Sequence, residues 1–302
     1  MAERNRLPDE LRRFILEAHP VRGHWVRLTD AWHELRGTRQ YPPLVEALLG
    51  EAATAAVLLA ATLKFDGKLT LQLAGNGLVS LLVAQCTHDF RIRATAQHTA
   101  QVPADAGFAA LIGDGRMVVT IEAGQRGQRY QGIVPLEGAS MAACLENYFA
   151  TSEQLPTRLM LAGDRLQTVG LLVQKLPAAS RGEASGAATH DVWEEVQAGL
   201  TSLNPAQLLS NDIETLLPMV CGAHDCRLFG ATAVGFECSC SRQRVSELLR
   251  SLGEAEARDV LAEQGAVTID CEFCGRSYRF DAVDVEQLFA ASPTRDETQR
   301  LN

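Results

Sequence analysis

The sequence predicts an α+β protein built in three successive parts, and three observations carry that prediction. A long Ala- and Leu-rich helical stretch is followed by short alternating apolar runs around a Gly75-Asn76-Gly77 turn. A segment with almost nothing to bury, 177–189 (PAASRGEASGAAT), separates this first part from two apolar helical stripes. Finally, six of the eight cysteines crowd into the C-terminal third. At 302 residues the chain has room for two compact domains of roughly 100–200 residues. With 46% hydrophobic and 22% charged residues it can bury a core, which excludes fibrous and globally disordered classes.

The elements follow in order. The N-terminus, MAERNRLPDELRRF, has no apolar core or cleavage-like site, so no signal peptide is expected, and Arg12-Arg13 reads as ordinary solvated helix positions. Leu44 to Phe65 reads as one helix, with Glu46 and Glu51 in its first turns where they suit the dipole. Its greasiest stretch, Ala52 to Phe65, is too short to span a bilayer, and a buried helix is expected. Lys68–Leu73, Leu78–Ala84 and Phe90–Ala94 read as strands, with Gly-Asn-Gly supplying the positive-φ positions of a hairpin. Arg116–Glu122 and Arg129–Pro135 add two more strands. Ser140 caps a helix running to about Glu153, and Arg158–Leu161 and Gln167–Leu176 are extended. The sheet of this first part is mostly antiparallel, with packed helices.

After the small-residue segment, Val192, Val196, Leu200 and Leu203 fall at helical spacing. Pro205 opens a second helix carrying Leu208, Leu209, Ile213, Leu216 and Leu217. Such a stripe is either core against the first part or a conditionally exposed apolar surface. The expected division is 1–176, an α+β core; 177–232, a helical linker region; 233–290, a small C-terminal zinc-binding domain; and 291–302, a disordered tail.

The zinc reading comes from Cys238-Ser-Cys240, a gap of 30 residues, and Cys271-Glu-Phe-Cys274-Gly275. Two close thiol pairs flanking one small supersecondary unit are what a tetrahedral Cys₄ site requires, and one zinc per chain is expected. Gly275 permits the tight turn that brings the second pair to one ion. Between the pairs, Val245, Leu248, Leu249 and Leu252 form one helical stripe ending at Gly253, and Val267–Ile269 reads as a strand. So small a module has too little core to fold alone. Structural zinc contributes roughly 10–16 kcal/mol. Were each neighbouring thiol pair to bond instead, loops of so few residues would return only about 1–2 kcal/mol apiece. Oxidation should therefore unfold the module. Glu237, Asp270 and Glu272, beside the ligands, either oppose thiolate formation when metal is absent or are simply solvated carboxylates.

CSCSR at 238–242, the gap, and CEFCGRSYRFDAVD at 271–284 resemble the heat-shock protein 33 family. The segments LTLQLAGNGLVSLLVAQCTHDFRIRATA at 69–96 and YQGIVPLEGASMAACLENYFATSEQLPTRL at 130–159 resemble that family's N-terminal domain, so the likeness covers nearly the whole chain. The resemblance implies a cytoplasmic, ATP-independent holdase chaperone rather than an enzyme. Its reduced, zinc-bound form would be inactive. Oxidation would form Cys238–Cys240 and Cys271–Cys274 disulfides, release zinc and unfold the C-terminal region. A homodimer would form, and apolar surface from the helices (Val192, Val196 and Leu200 in the first; Leu208, Leu209, Ile213, Leu216 and Leu217 in the second) would hold unfolding clients. The departure from the pattern is Cys221-Gly-Ala-His224-Asp-Cys226, whose accessory thiols are alternative ligands, extra oxidation targets or free cysteines in a turn. Six cysteines allow fifteen connectivities against three for four.

Net charge weighs against other classes. Residues 1–189 hold 18 acidic and 19 basic side chains, whereas 190–302 hold 19 acidic and 9 basic, net −10. That opposes a zinc-ribbon module for nucleic acid and attraction to anionic membrane. A thiol–disulfide oxidoreductase using Cys271 and Cys274 would need a low-pKa thiolate in a rigid βαβ setting, which the surrounding pattern does not offer. Gly75-x-Gly77 lacks the third glycine of a dinucleotide fingerprint. Cys86-Thr-His88 is read as a strand-end cysteine beside a solvent-facing histidine, and Cys144 as a core residue.

Overall fold

The computed structural model describes residues 8–123, 128–177 and 192–290, and the chain falls into two compact units, Met1–Glu237 and Cys238–Asn302. Most of the small-residue segment and the whole 291–302 tail lie outside the described residues.

The first unit opens with strands β1 (Glu10–Leu16) and β2 (Val21–Leu28), helix α1 (Asp30–Arg36), then the long helix α2 (Pro43–Thr62). Strands β3 (Gly67–Gly75), β4 (Val79–Thr87) and β5 (Arg91–His98) follow, then α3 (Phe108–Ile112), β6 (Gly115–Ala123), β7 (Gln128–Val134), α4 (Met141–Thr151), β8 (Thr157–Gly163) and β9 (Thr168–Lys175). Past the undescribed stretch come α5 (Val192–Ser202), α6 (Pro205–Ser210) and α7 (Ile213–Cys221), and the short strands β10 (Cys226–Leu228), β11 (Thr232–Ala233) and β12 (Gly235–Phe236). One sheet runs β10-β1-β2-β9-β8, with β11 also on β1; the other runs β12-β5-β4-β3-β6-β7. All pairings are antiparallel except β12 on β5. The expected α+β class with a mostly antiparallel sheet holds.

Helix α2 lies in the middle of this unit, packed against strands of both sheets. Ala and Gly along its length let the strands approach from several sides, so nearly its whole surface is buried. By length and composition the full helix would pass as a membrane span, unlike Ala52–Phe65 alone, but its burial marks it as a core helix. Alternate residues of β2 and β9 feed two cores. Val26, Leu28 and Leu172 join the core around α2, whereas Trp25, Val169, Leu171 and Val173 join a second core roofed by α5, α6 and α7. The layers are thus sheet, helix, sheet, helices.

Several expectations need correction. Arg12 and Arg13 sit on strand β1, not on a helix: the Arg12 guanidinium donates to the Phe229 carbonyl (3.0 Å) and pairs with Glu214 (3.1 Å). Gly75 and Gly77 shape the hairpin without positive φ. They are needed for close approach, because a Cβ at either would fall 2.1–2.5 Å from backbone atoms of Ile112. The turn is held instead by Asn76, whose Oδ1 accepts from the Asp114 N–H at 2.7 Å. Phe90 is a left-handed turn residue (φ 59°) before β5 rather than its first residue. The single helix expected after Pro205 is two, because Asp212 accepts from the Thr215 N–H (3.0 Å) and starts a new helix. Ser140 caps α4 as expected, accepting from Ala143.

The second unit comprises α8 (Arg242–Leu252), α9 (Glu254–Gln264), β13 (Val267–Asp270), β14 (Ser277–Phe280) and α10 (Ala282–Ala290). Strands β13 and β14 pair antiparallel. Its buried core is small: Val245, Leu249, Ala257, Val267, Tyr278, Phe280, Val285 and Leu288. Only half of the expected α8 stripe enters it. Leu248 and Leu252 stay 51% and 58% exposed.

Candidate metal centre

The site is built by two short segments. Cys238 and Cys240 precede α8, whose N-cap Ser241 accepts from the Arg244 N–H (3.2 Å). The Arg244 side chain donates back to the Ser239 carbonyl at 2.6 Å, fixing the chain between the two cysteines. Cys271 and Cys274 form the turn of the β13–β14 hairpin. There Gly275, at φ 69°, donates its N–H to the Cys271 carbonyl (2.8 Å), and the Cys271 N–H donates to Arg276 (2.9 Å). A side chain at Gly275 would be strained, as the sequence suggested. Asp270 and Ser277 bond each other across the same hairpin, so this carboxylate has a structural partner. Glu237 and Glu272 are exposed.

The four sulfurs lie within 4.8 Å of one another. The Cys238 and Cys271 sulfurs are 3.6 Å apart and those of Cys240 and Cys274 are 3.4 Å apart, so the shortest contacts cross between the two segments. A tetrahedron with metal–sulfur bonds of about 2.3 Å has edges near 3.8 Å. The cluster therefore fits one tetrahedral ion with thiolate donors. Among the described residues it is the one group of His, Cys, Asp and Glu side chains close enough to hold a metal.

The thiols are electrostatically unequal. Burial pushes Cys238 up to about 12. Burial opposes ionisation of Cys240 too, but hydrogen bonds from Tyr278 and Cys274 outweigh it and bring that thiol down to about 7. The Tyr278 hydroxyl donates to the Cys240 sulfur at 3.2 Å. This second-sphere donor had no motif to announce it. Its one signal is its place two residues before Phe280 on the strand after the cysteine turn, where both rings turn inward.

The remaining sequence candidates lie elsewhere. Cys221 is the last residue of α7 and Cys226 the first of β10, both in the first unit, and His224 pairs with Glu195 at 2.8 Å. Among the described residues the four-thiol group consists of Cys238, Cys240, Cys271 and Cys274. Val196, Leu200, Leu208, Ile213, Leu216 and Leu217 are buried in the second core of the first unit, with Val192 and Leu209 half-buried against it. Cys86 and Cys144 are fully buried core residues, and His88 is exposed beside Asp66, as expected.

Residues 9–281 match the family described as Hsp33 protein. Similar curated proteins, each called a 33 kDa chaperonin, include that of Ectopseudomonas mendocina, 42% identical over 96% of this chain and 98% of the relative. Those of Methylobacillus flagellatus and Chromobacterium violaceum are 40% and 42% identical, over 94% and 93% of this chain and 95% and 94% of their own lengths. The crystal structure of the 33 kDa chaperonin of Thermotoga maritima, a heat-shock protein 33 homologue, shares the fold with a TM-score of 0.80 over 93% of this chain and 98% of that one, at 23% identity. With a family match over nearly its whole length and relatives above 40% identity, the chain belongs to the Hsp33 family.

Proposed function

We propose that this protein is a redox-regulated, ATP-independent holdase chaperone of the cytoplasm, inactive while reduced. The observation that carries the reading is the four-thiol cluster, set in a unit whose described residues form one buried cluster of eight. Cys238, Cys240, Cys271 and Cys274 would hold one zinc ion per chain. Zinc supplies a cross-link between the two cysteine segments and keeps its thiolate donors ionised. The chain's own contribution is the Gly275 turn, the Ser241 cap and the Tyr278 hydroxyl, which aim the sulfurs at one point.

Two-electron oxidants such as peroxide or hypochlorite, with unfolding heat, convert Cys238–Cys240 and Cys271–Cys274 to disulfides. Each bond removes two electrons from two sulfurs and ends their service as anionic ligands. The small core then has no cross-link of comparable strength, and the unit loosens. The client surface in this reading is the buried face of α5–α7. Beyond apolar packing, polar ties join that layer to the strands beneath: the Arg27 guanidinium to the Asn211 carbonyl (2.5 Å), Gln167 to the Leu209 carbonyl (2.8 Å) and Arg158 to Gln197 (2.7 Å). Peeling the layer back exposes contiguous apolar surface able to hold unfolding proteins, with a homodimer forming on oxidation. The acidic C-terminal third argues against nucleic acid or membrane as the partner.

The test is suppression of thermal aggregation of a thermolabile client, with and without prior peroxide treatment at raised temperature, in the absence of ATP. Protection by the oxidised protein alone is expected, with release of one zinc per chain. Equal protection by both forms, or none by either, overturns the reading.

A further inference from the structure

We propose that Cys221 and Cys226 are a second redox dithiol, oxidised to a disulfide by hydroperoxides separately from the four clustered thiols. The two residues are brought together by a pinned turn. Cys221 ends α7; Gly222, at φ 59°, reverses the chain and donates its N–H to the Pro218 carbonyl (3.1 Å). The His224 N–H donates to the Cys221 carbonyl (3.1 Å), and the His224 ring is held by Glu195. On the far side the Asp225 carbonyl accepts from the Glu17 N–H (3.0 Å), and Cys226 sits opposite Leu16 on the edge of β1. Both flanks of the turn are therefore fixed, and Cys226 packs against the buried cluster that contains Cys221.

Their exposure assigns different roles. Cys221 is 3% exposed and belongs to the second core, whereas Cys226 is half-buried at its rim. The neighbouring Cys221 also eases ionisation of Cys226, against burial and the nearby Asp225 carboxylate. Cys226 is thus the thiol a peroxide reaches first. Its thiolate sulfur attacks one peroxide oxygen, the O–O bond breaks, and the alcohol or water leaves after taking a proton, giving a sulfenic acid on Cys226. The Cys221 sulfur then attacks that sulfenic sulfur; the S–S bond forms as the S–O bond breaks, and hydroxide departs with the Cys221 proton as water. In sum, two thiols and one hydroperoxide give one disulfide, one alcohol (or water) and one water, with two electrons passing from sulfur to oxygen.

Trypsin separates the three cysteine pairs, because 182–227 carries Cys221 and Cys226, 228–242 carries Cys238 and Cys240, and 259–276 carries Cys271 and Cys274. The full-length reduced protein is titrated with hydrogen peroxide, blocked with N-ethylmaleimide, digested and weighed. The expected product is peptide 182–227 lighter by two hydrogens and carrying no maleimide, remaining one linked species when further cut before Asp225. In Cys221→Ser, Cys226 should instead be trapped as a sulfenic acid by dimedone. The proposal is overturned if 182–227 stays doubly blocked at peroxide levels that oxidise both other peptides. It is equally overturned if its thiols appear bridged to 228–242 or 259–276, or if Cys226 passes to sulfinic acid with Cys221 still free. The wild-type measurement decides even if the serine variant does not fold.

Discussion

The two units solve the stability problem in opposite ways. The first packs two sheets and two helical layers around α2 and the β2–β9 pair, and its cores contain residues as large as Trp25, Trp32 and Phe14 with no exposed surface. Among its described residues the second has one hairpin, three short helices and a core in which Phe280 is the main aromatic anchor. Apolar burial grows with size, so the first unit can stand on packing alone while the second cannot. The difference teaches where a chemical switch is effective: four thiols can control a unit only if its remaining interactions are too few to hold it.

The sharpest way to break this contrast is to remove the ligand set. Cys271→Ser, or a strong chelator, should cost the second unit on the order of 10 kcal/mol and leave it unfolded. Far-ultraviolet circular dichroism and protease mapping should show loss confined to 238–290, and a cooperative second unit without metal would refute the contrast. Next, Phe280→Ala should destabilise the second unit by about 3–5 kcal/mol even with metal bound, read as a lower midpoint in urea.

A third prediction concerns acid and the first unit. His24 is 3% exposed, and burial, with Arg22 and Arg13 nearby, lowers its pKa from 6.5 to about 4. A histidine held neutral stabilises fully above 6.5 and loses that contribution as pH falls through 6.5 towards 4. The loss reaches about 3 kcal/mol. The melting temperature of the first unit should drop between pH 7 and pH 4, and His24→Phe should flatten that part of the profile. A comparable effect, about 3 kcal/mol, is expected for Leu216→Ala, which opens a cavity beneath α7 and should speed proteolysis of α5–α7 in the reduced protein. The smallest is Tyr278→Phe. Loss of the hydroxyl bond to Cys240 should cost about 1–2 kcal/mol, measured as weaker metal retention in a chelator competition.

The sequence announced what depends on local chemistry. Cys238-Ser-Cys240 and Cys271-Glu-Phe-Cys274-Gly275 were legible because ligand spacing is a short-range requirement, and the structure gathers those four sulfurs. Strands β3 to β9 were legible through alternation and turn residues. β1 and β2 were not, because β2 is covered on both faces and so does not alternate, and because Arg12 and Arg13 on β1 and Arg22, His24 and Arg27 on β2 made the two strands look solvated. Arg27 is in fact buried, stacked 4.7 Å over Trp25. The break at Asp212 was hidden by apolar periodicity that continues through it, and Tyr278 by the fact that its partner is 38 residues away. The Cys221–Cys226 contact depends on β10 adding to the edge of β1, a pairing more than two hundred residues distant that no local pattern reports.

That late return to the sheets changes how α5–α7 can move. β9 precedes the helices and β10, β11 and β12 follow them, stitched to β1 and β5. The helical roof is consequently a flap moored at both ends, not a free tail. Were it to lift as proposed, its landing site would stay tied to it through the chain rather than diffusing away. Reseating of the flap within one chain would then be a unimolecular event, needing no encounter with another molecule.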